Sequence, residues 1–595
     1  MKKKSISFLA DVVYCLRISF GTSKFYTLMR MGIRILKAML PVAGIYILKV
    51  ILDSLVMVDK TGALSTFITF IVLYMAIQVL TQWMTKLDEY FQQIHERLIE
   101  NYITRGLIKK ASKIDVSFFD SPIYFDKIEL LKSNFYAINQ MLWNVVSLVS
   151  SIITFITAFI IMLQFNVLYT GIIILSYIPI ALCDQIYIKK LYNWQTDMVG
   201  EQRKMNYVSN LIMQKIHSKS IRIFGLADYL LDIFTGLWKV WFTSRKKIVK
   251  KWSAISLLLT TIPEVLTILI LISVGTNIIN GQNSIGDFSL YSGIIAQLVA
   301  SVFLLTFHIS SILENKIRIN DYKEFDSWVN RVEGTGQVEL KYISTIVFNN
   351  VTFTYPGNDT PTLEKLNLEI NAKERIALVG INGAGKTTLI KLLLRFYDVS
   401  EGEILINNIN IKEYTPESIR KRFTVMFQDY VNYAFTLREN IRISDLARQY
   451  NDEDILEACK KSGADQIFEK LGKGLDSYLY KEFEESGLEL SGGESQKIAL
   501  GRTFFRNGEF IILDEPSSSL DAESEYILFK KMIELCDGKG VILISHRLSN
   551  VVLADRIIVI EDGEMIEQGT HSDLMKKNGR YATLFRYQAE RYNIK

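Results

Sequence analysis

The chain has 595 residues, enough for several domains of ordinary size. It is 49% hydrophobic with a net charge of only +5, and its aromatic residues do not interleave with basic clusters, so nothing points to nucleic acid as a partner. Cys15, Cys183, Cys459 and Cys536 lie far apart without metal-ligand spacing, which argues against a disulfide framework or a zinc site.

The average hides two unlike halves. Met1-Lys2-Lys3-Lys4 leads into an amphipathic segment expected to lie on the inner membrane surface. A first span is expected at about 32–55, with Arg34 and Lys37 reaching one interface and Lys49 pairing with Asp53 at the other. Thr61 to Thr85 is free of charge and fits a second span; Ser133 to Cys183 is also free of charge and long enough for two more, at about 142–163 and 167–188. Two further spans fit at about 254–279 and 286–307, separated by Asn280-Gly281-Gln282-Asn283. The short loops on one side carry a single basic residue, Lys60, whereas the N-terminus and the long loops are rich in Lys and Arg. Positive-inside bias therefore puts both termini in the cytoplasm.

Residues 86–113 mix charges with apolar residues at helical spacing and are expected to carry the second membrane helix roughly 42 Å beyond the bilayer. The chain is expected to reverse at Phe118-Phe119-Asp120-Ser121-Pro122, and residues 189–251 read the same way with a reversal near 222–228. In the fifth span Pro263-Glu264 sets a carboxylate in the apolar half. Such acids mark substrate paths or pair with a neighbouring polar group, and both readings stay open.

The second half reads as a soluble α/β domain. Tyr355 ends a strand-like run and offers a ring for stacking on a base. The segment 380–388, G-I-N-G-A-G-K-T-T, follows an apolar strand and precedes a helix, the context of a phosphate-binding loop. Gly380, Gly383 and Gly385 allow the tight turn, and Ile381, Asn382 and Ala384 complete the loop, whose N–H groups converge on phosphate. Lys386 can reach the β- and γ-phosphates, Thr387 can hold Mg²⁺, and Thr388 opens the helix beside it. Gln428, after another apolar run, offers a further Mg²⁺ ligand and a γ-phosphate sensor. L-S-G-G-E at 490–494 begins a helix with Ser491, Gly492, Gly493 and Glu494, a second anion-binding start. F-I-I-L-D-E at 510–515 ends a strand in two carboxylates: Asp514 suits Mg²⁺, partly through water, and Glu515 suits the attacking water. Ser519-Leu520-Asp521 is expected at a subunit interface, and His546, at another strand end, near the γ-phosphate.

Together these segments resemble the ATP-binding cassette superfamily over nearly the whole chain, in the form of an exporter half-transporter. The resemblance implies an all-α transmembrane domain of six helices over 1–325, a linker over 326–344 and an α/β P-loop NTPase domain over 345–595. It assigns G-I-N-G-A-G-K-T to Walker A, Gln428 to the Q-loop and L-S-G-G-E to the signature that contacts ATP in trans. Asp514 takes the Walker B position, Glu515 that of the catalytic glutamate, Ser519-Leu520-Asp521 the D-loop and His546 that of the switch histidine. The turns near 118–126 and 222–229 correspond to coupling helices. Two departures stand out: Glu494 replaces the usual Gln, and Phe483-Glu484-Glu485-Ser486-Gly487 is less basic than the coupling sequence of many exporters.

The run F-Q-D-Y-V-N-Y-A-F-T-L-R-E-N-I at 427–441 is similar to lantibiotic-type peptide exporters of Gram-positive bacteria. No peptidase domain with a Cys–His pair precedes the first span, so leader cleavage in cis is not expected. The expected protein is thus an ATP- and Mg²⁺-dependent exporter of a peptide or amphipathic compound in a bacterial plasma membrane. It would work among membrane lipid, as a homodimer or with a similar half-transporter. The alternatives are a lipid or multidrug exporter on the same scaffold, or an ATP-gated sensor or channel component.

Overall fold

The structure, a computed structural model, describes residues 8–56, 63–133, 136–516, 538–545 and 547–592. It divides into two units, residues 1–110 with 126–327, and residues 111–125 with 328–595.

The first unit is helical. Its helices are α1 (Phe8–Thr22), α2 (Lys24–Lys37), α3 (Leu40–Val56), α4 (Ala63–Ala111), α5 (Pro122–Ser133) and α6 (Tyr136–Phe165). They continue with α7 (Val167–Asp197), α8 (Val199–Met213), α9 (Ser218–Ile223), α10 (Ala227–Ile279) and α11 (Ile285–Asp326). Among the described residues six helical segments are long and apolar enough to cross a membrane: 24–55, 64–111, 136–164, 167–197, 227–279 and 285–326. The turns between them are defined chemically. Asn166 caps α7 by accepting from the amides of Leu168 and Tyr169 (2.9 and 3.2 Å), and Ser284 and Asp287 cap each other's amides at the start of α11. At 49 residues α4 is roughly 74 Å long, so it continues well past any bilayer as one helix.

The core of this unit lies where α6, α7, α10 and α11 meet, around Ala158, Met162, Ile173, Val274, Ile294 and Leu298. By contrast, the most apolar window of α4 has no buried residue. One expectation changes. Lys49 pairs with Asp287 of α11 (2.6 Å) and not with Asp53, whose carboxylate instead accepts from the Gly286 amide (3.0 Å). The two carboxylates are close in different directions, and α11 comes near enough to use both because Gly286 has no side chain: a Cβ there would lie 2.3 Å from Asp53 Oδ1. The N-terminal α1 packs along other helices, with Asp11 buried against Lys323 near the end of α11 (2.5 Å) and Ser19 bonded to Thr27 (2.9 Å). A carboxylate taken out of water needs such a partner.

The second unit holds two sheets. The antiparallel one has the order β2 (Leu363–Asn371), β1 (Thr345–Phe353), β4 (Glu401–Ile406), β5 (Ile409–Asn410). The other has the order β10 (Glu564–Gly569), β9 (Arg556–Glu561), β3 (Arg375–Val379), β8 (Gly540–Ile544), β7 (Phe510–Asp514), β6 (Phe423–Met426). All its pairs are parallel except β9 with β10. The helices used below are α12 (Lys386–Leu393), α13 (Pro416–Arg422), α14 (Leu437–Arg442), α15 (Asp452–Ser462) and α16 (Gly492–Phe505). β7 and β8 are buried at every residue, as expected of parallel strands covered on both faces.

Residues 111–125 group with the second unit, as do residues 328–344 of the stretch expected as a linker. Phe118 stacks on Trp328 with ring centroids 4.8 Å apart, and Leu340 and Ile343 enter the core. Asp115, 2% exposed, accepts from the amides of Arg331 (2.6 Å), Val332 (3.2 Å) and Glu333 (2.7 Å). The buried carboxylate clasps these amides. Asp115→Ala leaves three amides without their acceptor, each worth about 1–3 kcal/mol if it stays dry. Limited proteolysis of the variant should cut between residues 326 and 344 faster than in the wild type.

Candidate functional site

The register of the parallel sheet sets the site. Leu378 of β3 and Asp514 of β7 both pair with Ile544 of β8, and Met426 of β6 pairs with Leu513. Four strands therefore end at nearly one level, and the loops that follow them open on one cleft of about 350 Å³. Its walls carry Asn382 to Thr388, Gln428, Asp514 and Glu515, with Thr362 as a further contributor.

Beneath the cleft the loop leaves β3 at Gly380, where a Cβ would sit 2.2 Å from the carbonyl oxygen of Ile560, so no side chain fits. Gly385 takes φ +98° as the N-cap of α12 and supplies no side-chain cap, which leaves the first amides of that helix for an anion. The Lys386 ammonium donates to the carbonyls of Gly380 (2.9 Å) and Ile381 (2.8 Å), folded back over its own loop. Burial pushes its pKa down, opposed by the charges of Glu515 and Asp514.

Thr387 donates to Asp514 Oδ2 at 2.8 Å, and burial pushes the Asp514 carboxyl up against the opposing effect of that bond. The pair offers hard oxygens side by side, the chemistry that suits a small divalent cation. Glu515 sits at φ +52°, unusual for a residue with a long side chain, and its amide donates to the Ile544 carbonyl (2.9 Å). The Gln428 amide nitrogen donates to Glu515 Oε2 at 2.9 Å. Gln428, Thr387, Asp514 and Glu515 thus come from three strand ends and line one cleft.

Tyr355 stands beside this cleft. Its hydroxyl is 3.2 Å from Thr388 Oγ1, and its ring packs edge-on against Tyr397 at 5.4 Å. Tyr397 in turn donates to Asp120 (2.6 Å), which lies in the turn 111–125. The signature residues Ser491, Gly492, Gly493 and Glu494 start α16 and do not line the cleft. His546 and Ser519-Leu520-Asp521 lie outside the described residues.

Comparison with known proteins follows this geometry. Residues 363–518 match the family described as "ABC transporter", and residues 28–302 match "ABC transporter transmembrane region". The subtilin transport ATP-binding protein SpaT of Bacillus subtilis is 30% identical over 569 residues, 93% of this chain and 90% of that protein. The chain belongs to the ABC transporter family. The nisin transport ATP-binding protein NisT of Lactococcus lactis subsp. lactis is 26% identical and spans 97% of this ABC transporter. The ATP-dependent lipid A-core flippase of Escherichia coli K12 is 40% identical over 263 residues, 44% of each chain. Among solved structures, a bacterial Atm1-family ABC exporter with ATP bound superposes with a TM-score of 0.80 over 94% of this chain and 98% of that one, at 22% identity. This ABC transporter is therefore a multi-pass membrane protein whose α/β unit binds and hydrolyses ATP in support of transport.

One residue of the site escaped sequence reasoning. Gln496, fully buried on α16, donates to the Pro516 carbonyl at 2.6 Å and so braces the backbone that follows Glu515. A glutamine two positions past a signature motif carries no spacing signal; only the fold brings it to Glu515. Gln496→Ala should lower kcat for ATP by about tenfold through loss of positioning, with ATP affinity little changed. Steady-state kinetics alongside equilibrium nucleotide binding would separate the two effects.

Proposed function

We propose that this chain is one half of a dimeric, Mg²⁺-dependent exporter that moves a peptide or amphipathic compound from the cytoplasm or inner leaflet outward. The observation that carries the dimer is the composition of the cleft. It holds the phosphate loop, Asp514 and Glu515 but none of Ser491 to Glu494, so a second cassette has to bring its α16 to complete the phosphate shell. A second support is the tip between α8 and α10, where Met213, Ile216, Ile223 and Phe224 are each more than 70% exposed. Apolar surface of that size calls for a partner. Subtilin and nisin are the cargoes named for two relatives that match over nearly full length, which favours a peptide over a lipid; the flippase likeness covers less than half the chain.

In this reading Lys386 exchanges the Gly380 and Ile381 carbonyls for phosphate oxygens. Tyr355 meets the base, and the amides of Asn382 to Thr388 hold the β-phosphate. Thr387, Gln428 and Asp514 would hold Mg²⁺, which when bound draws charge from the phosphate oxygens. Glu515 orients the attacking water and accepts its proton, with Gln428 fixing the carboxylate meanwhile and His546 completing the γ-phosphate contacts. Closure follows ATP only because ATP binds the closed dimer more tightly than the open one. The distribution of Lys and Arg supports a cytoplasmic placement of both termini.

The test is ATPase activity of the purified chain in lipid nanodiscs. Cooperative hydrolysis that Glu515→Gln abolishes, with ATP binding retained, is the expected result; absence of hydrolysis by a folded, ATP-binding chain would refute the homodimer and direct the search to a second subunit. A further variant addresses cargo. Glu264 on α10 is an exposed carboxylate within a segment of spanning character. Glu264→Gln should reduce transport of cationic cargo severalfold while basal ATPase stays within about twofold. Transport unchanged across all cargo concentrations would remove Glu264 from the path.

A further inference from the structure

The signature of this chain ends in an acid, and the structure supplies that acid with a dedicated cation. Ser491 is the N-cap of α16 and Glu494 its third helical residue, joined in a capping box. Glu494 Oε2 accepts from the Ser491 amide (2.8 Å) and from the Ser491 hydroxyl (2.9 Å), while the Glu494 amide donates to Ser491 Oγ (3.3 Å). The other oxygen, Oε1, accepts from the ammonium of Lys470 at 2.5 Å. Lys470 closes the 3₁₀ segment Ala464–Lys470, on a different stretch of chain from the signature. The neighbouring lysines are engaged elsewhere, Lys473 with Glu484 (3.0 Å) and Lys497 with Gln466 (2.6 Å). The Lys470 bond and the two Ser491 donors hold the Glu494 carboxyl down to about 2, so it is ionised under any working condition.

An ionised carboxylate in the first turn of α16 opposes the work expected there in two ways. It repels a γ-phosphate that approaches the same helix start. It also keeps the Ser491 proton pointed inward, where a neutral amide would hold it more weakly. We propose that Lys470 is a positioning residue of the trans phosphate site: it neutralises Glu494 and shares its electron density, so that Ser491 can turn its hydroxyl to the γ-phosphate of the partner's ATP. The inference rests on the reading of the chain as a dimeric ATPase. It makes Lys470 and Glu494 one functional unit, in which the lysine matters only because the acid is there.

A rescue experiment on the full chain in nanodiscs tests it, with ATP as the probe. Lys470→Met should raise the KM for ATP by about tenfold, the size expected for one uncompensated charge near a phosphate, with kcat little changed. Raising the ionic strength should shrink that difference, since exposed charges are screened. Lys470→Arg should behave as wild type. The decisive variant is Lys470→Met/Glu494→Gln. An amide still caps Ser491 but carries no charge, so the double variant should recover the wild-type KM to within about twofold.

An unchanged KM in Lys470→Met, or a double variant no better than the single, would overturn the proposal. Because Lys470 is 57% exposed, a folded protein is expected from each substitution. Lys470→Gln in the same comparison guards against a defect peculiar to methionine, and a raised KM that Glu494→Gln fails to rescue there counts equally against it. Absence of any Glu515-dependent turnover in the wild type would instead overturn the dimeric-ATPase reading, and this inference with it.

Discussion

Everything chemical in this chain depends on the parallel pairing of four short strands. β6, β7, β8 and β3 are four or five residues long, almost wholly buried, and in a register that ends them at one level. Burial on both faces keeps polar side chains out of the strands themselves, so the polar residues gather just past their ends. The residues just beyond the strands are then free to be polar and are held to within hydrogen-bonding distance of one another. The Thr387–Asp514 and Gln428–Glu515 bonds are consequences of strand length before they are features of catalysis. The apolar core is what positions the carboxylates.

The same unit also takes hold of a piece of the other half of the sequence. Residues 111–125 follow the long helix α4, yet Asp115, Phe118 and Asp120 each bond or stack with the α/β unit. Through Asp120 the turn reaches Tyr397, and through Tyr397 it reaches Tyr355 beside the cleft. Two contacts within the α/β unit thus link this turn to the tyrosine beside the cleft.

The halves of the protein were legible in the sequence for different reasons. Spans appear because lipid tolerates no unpaired charge, so intervals such as Ser133 to Cys183 identify themselves. The phosphate loop appears because only one local pattern of glycines, Lys386 and Thr387 produces its geometry, and that geometry is contained within nine consecutive residues. What was not legible depends on contacts between distant positions. Lys49 had Asp53 four residues away on the same helix, and nothing in the sequence favoured Asp287 over it. Asp115 gave no hint that it would cap amides more than two hundred residues later, so a packed strap read as a linker. Gln496 and Lys470 belong to this class too: each acts on a motif, and neither lies within one.

Glu515 carries a further consequence. Its backbone is held at φ +52°, on the left-handed side where a glutamate is strained by roughly 1 kcal/mol or more. The neighbouring Ile544 carbonyl and the braced Pro516 keep it there. A glycine at the same place would relax that strain, and under the proposed mechanism it would remove the carboxylate that turnover needs. In the proposed reading, where Glu515 orients the attacking water, activity and durability are set against each other at a single residue.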